Sequence, residues 1–558
     1  MAACSRSLDV LLFLNKFNGL SQRIFLELEK HGHRLKVFEI NKEDDMLKYS
    51  KDYNHDLIIC PFLTKCVPRE VWSKTKPCLI VHPGIQGDRG MNSLDWAIKE
   101  NKLQWGVTVL QAAENMDAGN IWSTTNFSIN RNNMNSLTKS SLYSNEITNA
   151  SVVSVLQAVS NFIDQVPSKP LDYSDPNTKG VLKRNMNNQD REIDWKCSAE
   201  EISSIIRMSD SQPGAIAVLS VPSCNYSSKF RVFGSVIEKE QLFSFDKNAP
   251  GDIVGQRNGA ILVKCKNGYI WLSHLKNNKL KLPAIYWLQQ AKNSIGYIPT
   301  LKLNYSVGEE PQTFQEIWTN VVDGVCFIHF NFYNGAMNVS QCKQLESVLK
   351  LVDSNRLIKT VVLMGGYNCF SNGIHLNVID HAEDSFNESW ENINAINDVV
   401  KQIFQMSKTT ISALQGNAGA GGCMMSLASD YVWCRKGVVL NPHYKSMKLF
   451  GSEYHTYFLK KRVGLRKSQE LLDSTMPILS STALDIGMFD KVEGNTVEEF
   501  RDFVYKESLS INSRFVKEKT YQQIFDELEH HRKKELSMMI KNFRSSEYNE
   551  ARKNFVYH

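Results

Sequence analysis

Three stretches of this 558-residue chain combine residue types that can do chemistry. The first runs CLIVHPGIQGDRGMNSLDWAIKENKLQWGVTVLQAAENMDAGNIW, from Cys78 to Trp122. An apolar strand ends at His82. Pro83 and Gly84 then force a turn, so the imidazole projects from the strand end. Asp117, in the tight MDAG turn, is an acid that could orient that ring or shuttle its proton. The second stretch pairs NCFSNGIHLNVI (368–379) with LQGNAGAGGCMMSLASD (414–430). Small residues at a strand-to-helix turn let backbone N–H groups approach a ligand, and two such groups converging on one oxygen make an oxyanion hole. Close packing of a helix on a sheet is the other reading. The third, NPHYKSMKLFGSEYHTYFLKKRVG (441–464), offers His443, Tyr444, Glu453 and Tyr454. Glu453 is read as opening a helix, whose dipole favours its ionised form. A structural Tyr–Glu hydrogen bond is the alternative.

These residues must be positioned by more than one domain, because 558 residues exceed a single core. LDVLLFL, RLKVFEI, DLIIC and CLIVH read as buried strands alternating with helices, which predicts a parallel, doubly wound sheet over residues 8–130 with its ligand site beyond the strand ends. A polar, Asn- and Ser-rich stretch over 130–190 predicts a helix near 150–164 and then a linker. Ser198 and Glu201 form a capping box before Ile202, Ile205 and Ile206. Strand-like runs at 214–220, 229–237, 259–265 and 268–273, with turns at RNG and KNG, predict a small β-rich domain. A second linker is expected over about 290–315. After it GVCFIHF, IKTVVLM and TTISALQG read as strands, with a helix presenting Trp390, Ile393, Ile396, Val399, Val400, Ile403 and Phe404 on one face. From 453 onward nearly everything reads as helix. The domains expected are 1–165, 180–290 and 315–558.

Composition narrows the classes. No apolar run approaches the roughly 20 residues of a membrane span, and the first residues make a poor signal peptide, so a cytoplasmic location and no membrane partner are expected. A net charge of +6 without a segregated basic cluster argues against nucleic acid. The densest basic stretches, KKR at 460–462 and HHRKKE at 530–535, read as solvated helix faces, with binding of an anionic ligand as the alternative. Twelve Cys with no CxxC pair predict reduced thiols and no metal site.

The first stretch resembles the folate-dependent formyltransferases, whose pattern is Asn-x-His-Pro-Ser, an Arg-Gly loop, Gly-Val-Thr and an Asp-x-Gly turn. Gly106-Val107-Thr108 and Asp117-Ala118-Gly119 follow His82 at the matching distances. The resemblance covers roughly 8–280. It implies a Rossmann-like formyltransferase domain followed by a small β-rich, OB-like domain. His82 and Asp117 would be catalytic, Pro61, Phe62, Leu63 and Arg89 would border the folate pocket, and formyl-tetrahydrofolate would be the donor. The family's catalytic Asn position is Ile80 here. Asn15, Asn18 or Asn92 is then a candidate to supply the missing amide, or the acceptor is a thiol that needs less help.

The paired glycine turns resemble the enoyl-CoA hydratase/isomerase (crotonase) family over about 320–500. By that resemblance Ile374 and Gly421 would donate the oxyanion N–H groups to a thioester of coenzyme A, with Asn372 and Gly422 beside them. The two hydratase carboxylate positions hold Met424 and His443, so water addition is not expected. Tyr444 and Glu453, with His443 as a further candidate, would carry the proton traffic. The whole is thus expected to be a multidomain α/β protein with a crotonase-fold domain and a helical C-terminus. Such a fusion resembles a family of hydrogenase-maturation proteins, which implies formyl transfer to coenzyme A, cleavage of formyl-CoA to carbon monoxide, and hydrogenase maturation proteins as partners. A formyl-CoA enzyme yielding formate, or a non-catalytic folate- and CoA-binding scaffold favoured by Ile80, are the alternatives.

Overall fold

The computed structural model describes residues 6–74, 76–129, 137–221, 226–242, 248–289, 298–302, 311–512 and 522–557. They form two compact units, Met1–Ile193 with Ser204–Ile216, and Asp194–Ser203 with Ala217–His558. The linker expected over 290–315 falls largely outside the described residues. Among the described residues, no helix is long and apolar enough to cross a membrane.

The first unit is built on six strands, β1 (Asp9–Leu14), β2 (Arg34–Glu39), β3 (Leu57–Phe62), β4 (Cys78–His82), β5 (Gln104–Gln111) and β6 (Ile121–Ser128), in the order β2-β1-β3-β4-β5-β6. β1 to β4 pair in parallel, as their continuous apolar character predicts. The doubly wound expectation fails beyond them, because β5 runs antiparallel to β4 and β6 antiparallel to β5. For β6 the reason is the short MDAG connection, which allows a hairpin but not the longer crossover a parallel pair requires. The helix Thr148–Ile163 covers β5 and β6 and buries Val152, Val155, Ala158 and Val159. The expected linker is not free chain. Between 173 and 183 it is tied to the loop after β4: Tyr173 OH donates to Gly87 O (3.1 Å), Gly180 N to Gln86 O (2.9 Å), Gln86 Nε2 to Thr178 Oγ1 (2.7 Å) and Lys183 N to Arg89 O (3.1 Å).

The β-rich sheet comprises β7 (Ala215–Val221), β8 (Tyr226–Glu238), β9 (Ile253–Arg257), β10 (Ala260–Cys265), β11 (Gly268–Asn277) and β12 (Leu280–Pro283). Its order is β7-β8-β11-β10-β9, with β12 on β11. The RNG turn joins β9 to β10 with Asn258 (φ 47°) and Gly259 (φ 82°) both left-handed, the requirement of a tight hairpin. The predicted capping box is present: Glu201 N donates to Ser198 Oγ (3.2 Å) and Ser198 N to Glu201 Oε2 (2.8 Å).

The C-terminal part contains two main sheets. One is β13 (Ile317–Val322), β14 (Val325–Phe330), β16 (Thr360–Met364), β19 (Thr409–Leu414), β21 (Tyr431–Arg435) and β24 (Lys491–Glu493), in that order, antiparallel only between β13 and β14. The other is β17 (Cys369–Ser371), β20 (Asn417–Gly419), β22 (Val439–Asn441) and β23 (Ile478–Leu479). A short parallel pair, β15 (Ala336–Met337) with β18 (Gly373–Ile374), stands apart. The chain passes from β16 to β17, from β19 to β20 and from β21 to β22 within a few residues each time. At Gly416 a Cβ would lie 2.7 Å from the backbone of Asn368 and Cys369, so only glycine allows that crossing. The register Ser371↔Ala418↔Leu440 then aligns three strand ends, and the segments that leave them carry Gly373, Gly421 and Tyr444. Behind the sheets, the helix Ser385–Gln405 buries Ile393, Ile396, Val399, Val400 and Ile403, the face read from the sequence. After 453 the chain is mainly helical, interrupted by β23 and β24.

Candidate functional site

Two clusters of candidate functional side chains are present, one in each unit. In the first, His82 is the last residue of β4 and pairs with Thr108 of β5. Thr108 Oγ1 donates to Gly84 O (2.9 Å) and Trp105 Nε1 to Pro83 O (2.9 Å), which fixes the turn that releases the imidazole. Gly84 has no room for a side chain, since a Cβ there would meet the His82 ring and the Asp88 carboxylate. The ring, 4% exposed, sits between two acids: Nε2 lies 2.9 Å from Asp88 Oδ2 and Nδ1 lies 3.5 Å from Asp117 Oδ2. Ser93 Oγ donates to the same Asp88 oxygen and, at 3.1 Å, to Pro83 O. Asp117 (φ 51°) accepts Gly90 N at 3.1 Å, and Arg89 Nε donates to Met116 O at 2.9 Å. Burial alone would lower the His82 pKa. The Asp88 hydrogen bond and the charges of Asp117 and Asp88 outweigh it and raise the pKa, which favours the imidazolium.

Ile80 lies two residues before His82 on the same face of β4 and, like Leu63, packs against an apolar cluster. No described contact brings any of the three asparagines considered as replacement donors to His82. Asn15 binds Thr64 (Thr64 N to Oδ1, 3.2 Å), Asn18 accepts Ser21 N (3.0 Å) at a helix start, and Asn92 accepts Met186 N (2.9 Å). The residue beside the ring is Asp88, which sequence reasoning missed. Its only sequence signal was an acid in the Gly-rich loop six positions after the histidine. Pro61, Phe62 and Leu63 lie where β3, the neighbour of β4, ends. Phe62 O accepts Asn15 N (2.8 Å), and the Phe62 ring packs edge-on to Tyr143 at 6.3 Å.

In the second cluster Gly373 (φ 82°) and Gly421 approach so closely that a Cβ on Gly373 would lie 3.4 Å from Gly421 N. Ile374 follows Gly373 and is held by β18 pairing with β15. Gly421 begins a short helix after Ala420 (φ 44°), and a Cβ on Gly421 would strike the Glu453 carboxylate. Gly422 packs on the Ser371 carbonyl, and Asn372 Nδ2 donates to Asn334 O (2.9 Å). Tyr444 OH donates to Glu453 Oε2 (2.8 Å) and to Ser452 O (3.1 Å).

Glu453 does not behave as the sequence reading expected. It precedes the helix His455–Asp473, and both it (φ 57°) and Tyr454 (φ 55°) are left-handed. Burial, opposed by the bonds from Tyr444 and Ser452, lifts its pKa to about 7, so desolvation overrides the helix dipole. Burial and the neighbouring Glu453 charge push the Tyr444 phenol well above its usual value. Two consecutive left-handed residues cost about 1–3 kcal/mol each and persist only where surroundings enforce them. The enforcing residues are Asn397, which accepts Glu453 N (2.9 Å), and Glu535, which accepts Tyr454 N (2.9 Å), Thr456 N (2.8 Å) and Thr456 Oγ1 (2.6 Å). Both were missed, because they come from distant helices. Met424 is fully buried. His443 is buried, its Nδ1 has no hydrogen-bond partner, and burial lowers its pKa. Among the described contacts it makes no bond to Tyr444 or Glu453.

Three family models match the chain: formyl transferase at residues 28–151, the C-terminal domain of formyl transferase at 185–292, and enoyl-CoA hydratase/isomerase at 321–557. The hydrogenase maturation factor HoxX of Bradyrhizobium diazoefficiens is 35% identical over 491 residues, 87% of this chain and 81% of that protein. The crystal structure of HypX from Aquifex aeolicus in complex with tetrahydrofolic acid superposes with a TM-score of 0.90 at 36% identity, over 99% of this chain and 96% of that one.

Proposed function

The chain belongs to the family of hydrogenase maturation factors that includes HoxX and HypX, and we propose that it makes carbon monoxide in two steps. A formyl group passes from formyl-tetrahydrofolate to the thiol of coenzyme A, and the formyl thioester is then split into CO and coenzyme A. Three modules share this work, residues 1–165 and 180–290 for the folate step and 315–558 for the thioester.

In the first step the His82 cation polarises the formyl group and Asp117 manages protons. Pro61, Phe62, Leu63 and Arg89 border the folate. The tetrahydrofolate in the Aquifex aeolicus HypX complex supports a folate donor. In the second step the thioester oxygen is received by the N–H groups of Ile374 and Gly421, with Asn372 and Gly422 alongside. Glu453 takes the formyl hydrogen as a proton, the carbon–sulfur bond breaks with its electrons on sulfur, and Tyr444 protonates the sulfur. Glu453 then returns the proton to Tyr444 through their 2.8 Å hydrogen bond, so both residues end as they began.

One observation carries this reading. A tyrosine–carboxyl pair is pressed against Gly421, while the hydratase carboxylate positions hold Met424 and His443. A site of that composition can move a proton while offering no second acid to activate water. His443 is the next candidate base should Tyr444 and Glu453 prove dispensable. Such an enzyme works in the cytoplasm beside other hydrogenase maturation proteins, on small-molecule substrates, with neither nucleic acid nor membrane as partner.

The test is to mix purified protein, formyl-tetrahydrofolate and coenzyme A with reduced haemoglobin and record the haem spectrum. The CO-bound spectrum is expected. Formate without CO would make the chain a formyl-CoA hydrolase, and binding without either product would make it a scaffold.

A further inference from the structure

The Ile80 position leaves the folate site without the amide of its family's pattern, yet a second carboxylate has been brought to the histidine from another direction. Asp88 is 3% exposed, has one oxygen 2.9 Å from His82 Nε2, and accepts the Ser93 hydroxyl on that same oxygen. Burying a carboxylate this deeply is costly unless its partners repay it. The structure also invests in the surrounding loop. The 173–183 segment binds the backbone of Gln86, Gly87 and Arg89 on both sides of Asp88. Gly180 lies so close that a Cβ there would meet Asp88 N. Among the described residues, the titratable groups that face His82 are Asp88, from the loop after β4, and Asp117, from the loop after β5.

A thiol acceptor sets a chemical demand that an amine acceptor does not. An amine is nucleophilic once neutral, whereas a thiol must lose its proton, and thiols ionise near about 8.5, so only a few per cent is thiolate at neutral pH. One proton must therefore leave the sulfur, and one must reach the folate nitrogen as the formyl group departs. We propose that Asp88 is the base that takes the thiol proton in the formyl-transfer step, while the His82 imidazolium and Asp117 deliver a proton to the leaving nitrogen. This rests on the reading that coenzyme A is the acceptor.

The sulfur–carbon bond forms, and the carbon–nitrogen bond breaks with its electron pair on nitrogen. The thiol proton goes to Asp88. The Nδ1 proton of the His82 imidazolium passes through Asp117 to the nitrogen, which leaves the ring neutral with its Nε2 proton still facing Asp88. Once the products leave, Asp88 gives its proton to water and His82 takes one back from water at Nδ1, so the side chains return to their starting states and the net change is one proton moved from sulfur to nitrogen. Asp88, hydrogen-bonded to Nε2 at 2.9 Å, and Asp117, 3.5 Å from Nδ1, place one carboxylate at each nitrogen of the ring.

The experiment compares the wild-type chain with Asp88→Asn, following formyl-CoA formation from formyl-tetrahydrofolate and coenzyme A between pH 6 and pH 9. Tetrahydrofolate binding serves as the control for folding. The expected result is a variant that binds tetrahydrofolate normally and is slowed about a hundredfold or more at pH 7. Its rate should climb about tenfold per pH unit toward the thiol pKa, because the solvent now supplies the thiolate. The wild type should not show that climb. A variant with wild-type rate and profile overturns the assignment to Asp88 alone. So does a slowed variant with the wild-type pH profile, since that marks a structural role. A wild type that makes no formyl-CoA overturns the reading of the first step and this inference with it.

Discussion

At His82 an imidazole lies between two carboxylates and is driven toward its charged form, whereas at Glu453 a carboxyl lies among a phenol and backbone groups and is driven toward its neutral form. Both groups are buried, so burial alone does not decide the outcome. The partners decide it. Two anions at 2.9 and 3.5 Å offset the desolvation of a cation, while a tyrosine hydroxyl offsets only part of the desolvation of an anion. The difference matches the proposed chemistry. Formyl transfer develops negative charge on an oxygen and is helped by a standing cation. Proton abstraction from a formyl thioester needs a base with a pKa near the working pH, and about 7 meets that need.

The largest effects are expected at the proposed thioester site. Tyr444→Phe keeps the ring, and Glu453→Gln keeps the shape. Each is expected to cut CO release from supplied formyl-CoA by about 10²–10⁴-fold. The double variant should be little worse than either single one, because the pair acts as a unit. Wild-type CO output from both well-folded single variants would remove the pair from the mechanism.

At the other centre, Asp117→Asn takes away one of the two charges that support the imidazolium. Formyl-CoA formation should fall by about a hundredfold, measured as product formed from formyl-tetrahydrofolate and coenzyme A. A near-wild-type rate would show that the Asp88 side alone sustains His82.

The smallest effect is one of pH. Glu453 acts as a base only when ionised, and its pKa is raised by burial to about 7. CO release should therefore rise with pH through about 7 and level off above it, a roughly tenfold increase from pH 6 to pH 8. A flat or falling profile, measured with formyl-CoA as sole substrate, would assign the proton step elsewhere.

The chain order of strands and helices was legible in the sequence wherever burial is continuous, as in β1 to β4 and the face of Ser385–Gln405. The antiparallel return at β5 and β6 was not, since apolar composition carries no strand direction. Within the candidate sites, the local backbone demands of a strand end and of the glycine turns drew attention to His82, Asp117 and Gly421. Asp88 escaped notice although it lies only six positions on, because a loop acid gives no sign of which way it points. Asn397 and Glu535 escaped for a different reason. They grip the left-handed turn at Glu453 and Tyr454 from helices 56 and 81 positions away, and nothing in the local pattern announces such contacts. The helix-dipole expectation for Glu453 failed because it treated position along a helix without depth.

The central claim is that two chemically separate centres act in sequence, and His82→Ala tests it most directly when the partial reactions are assayed apart. The variant should make no formyl-CoA from formyl-tetrahydrofolate and coenzyme A, yet release CO from supplied formyl-CoA at the wild-type rate. Equal loss of both partial reactions in a folded variant would contradict the two-centre account.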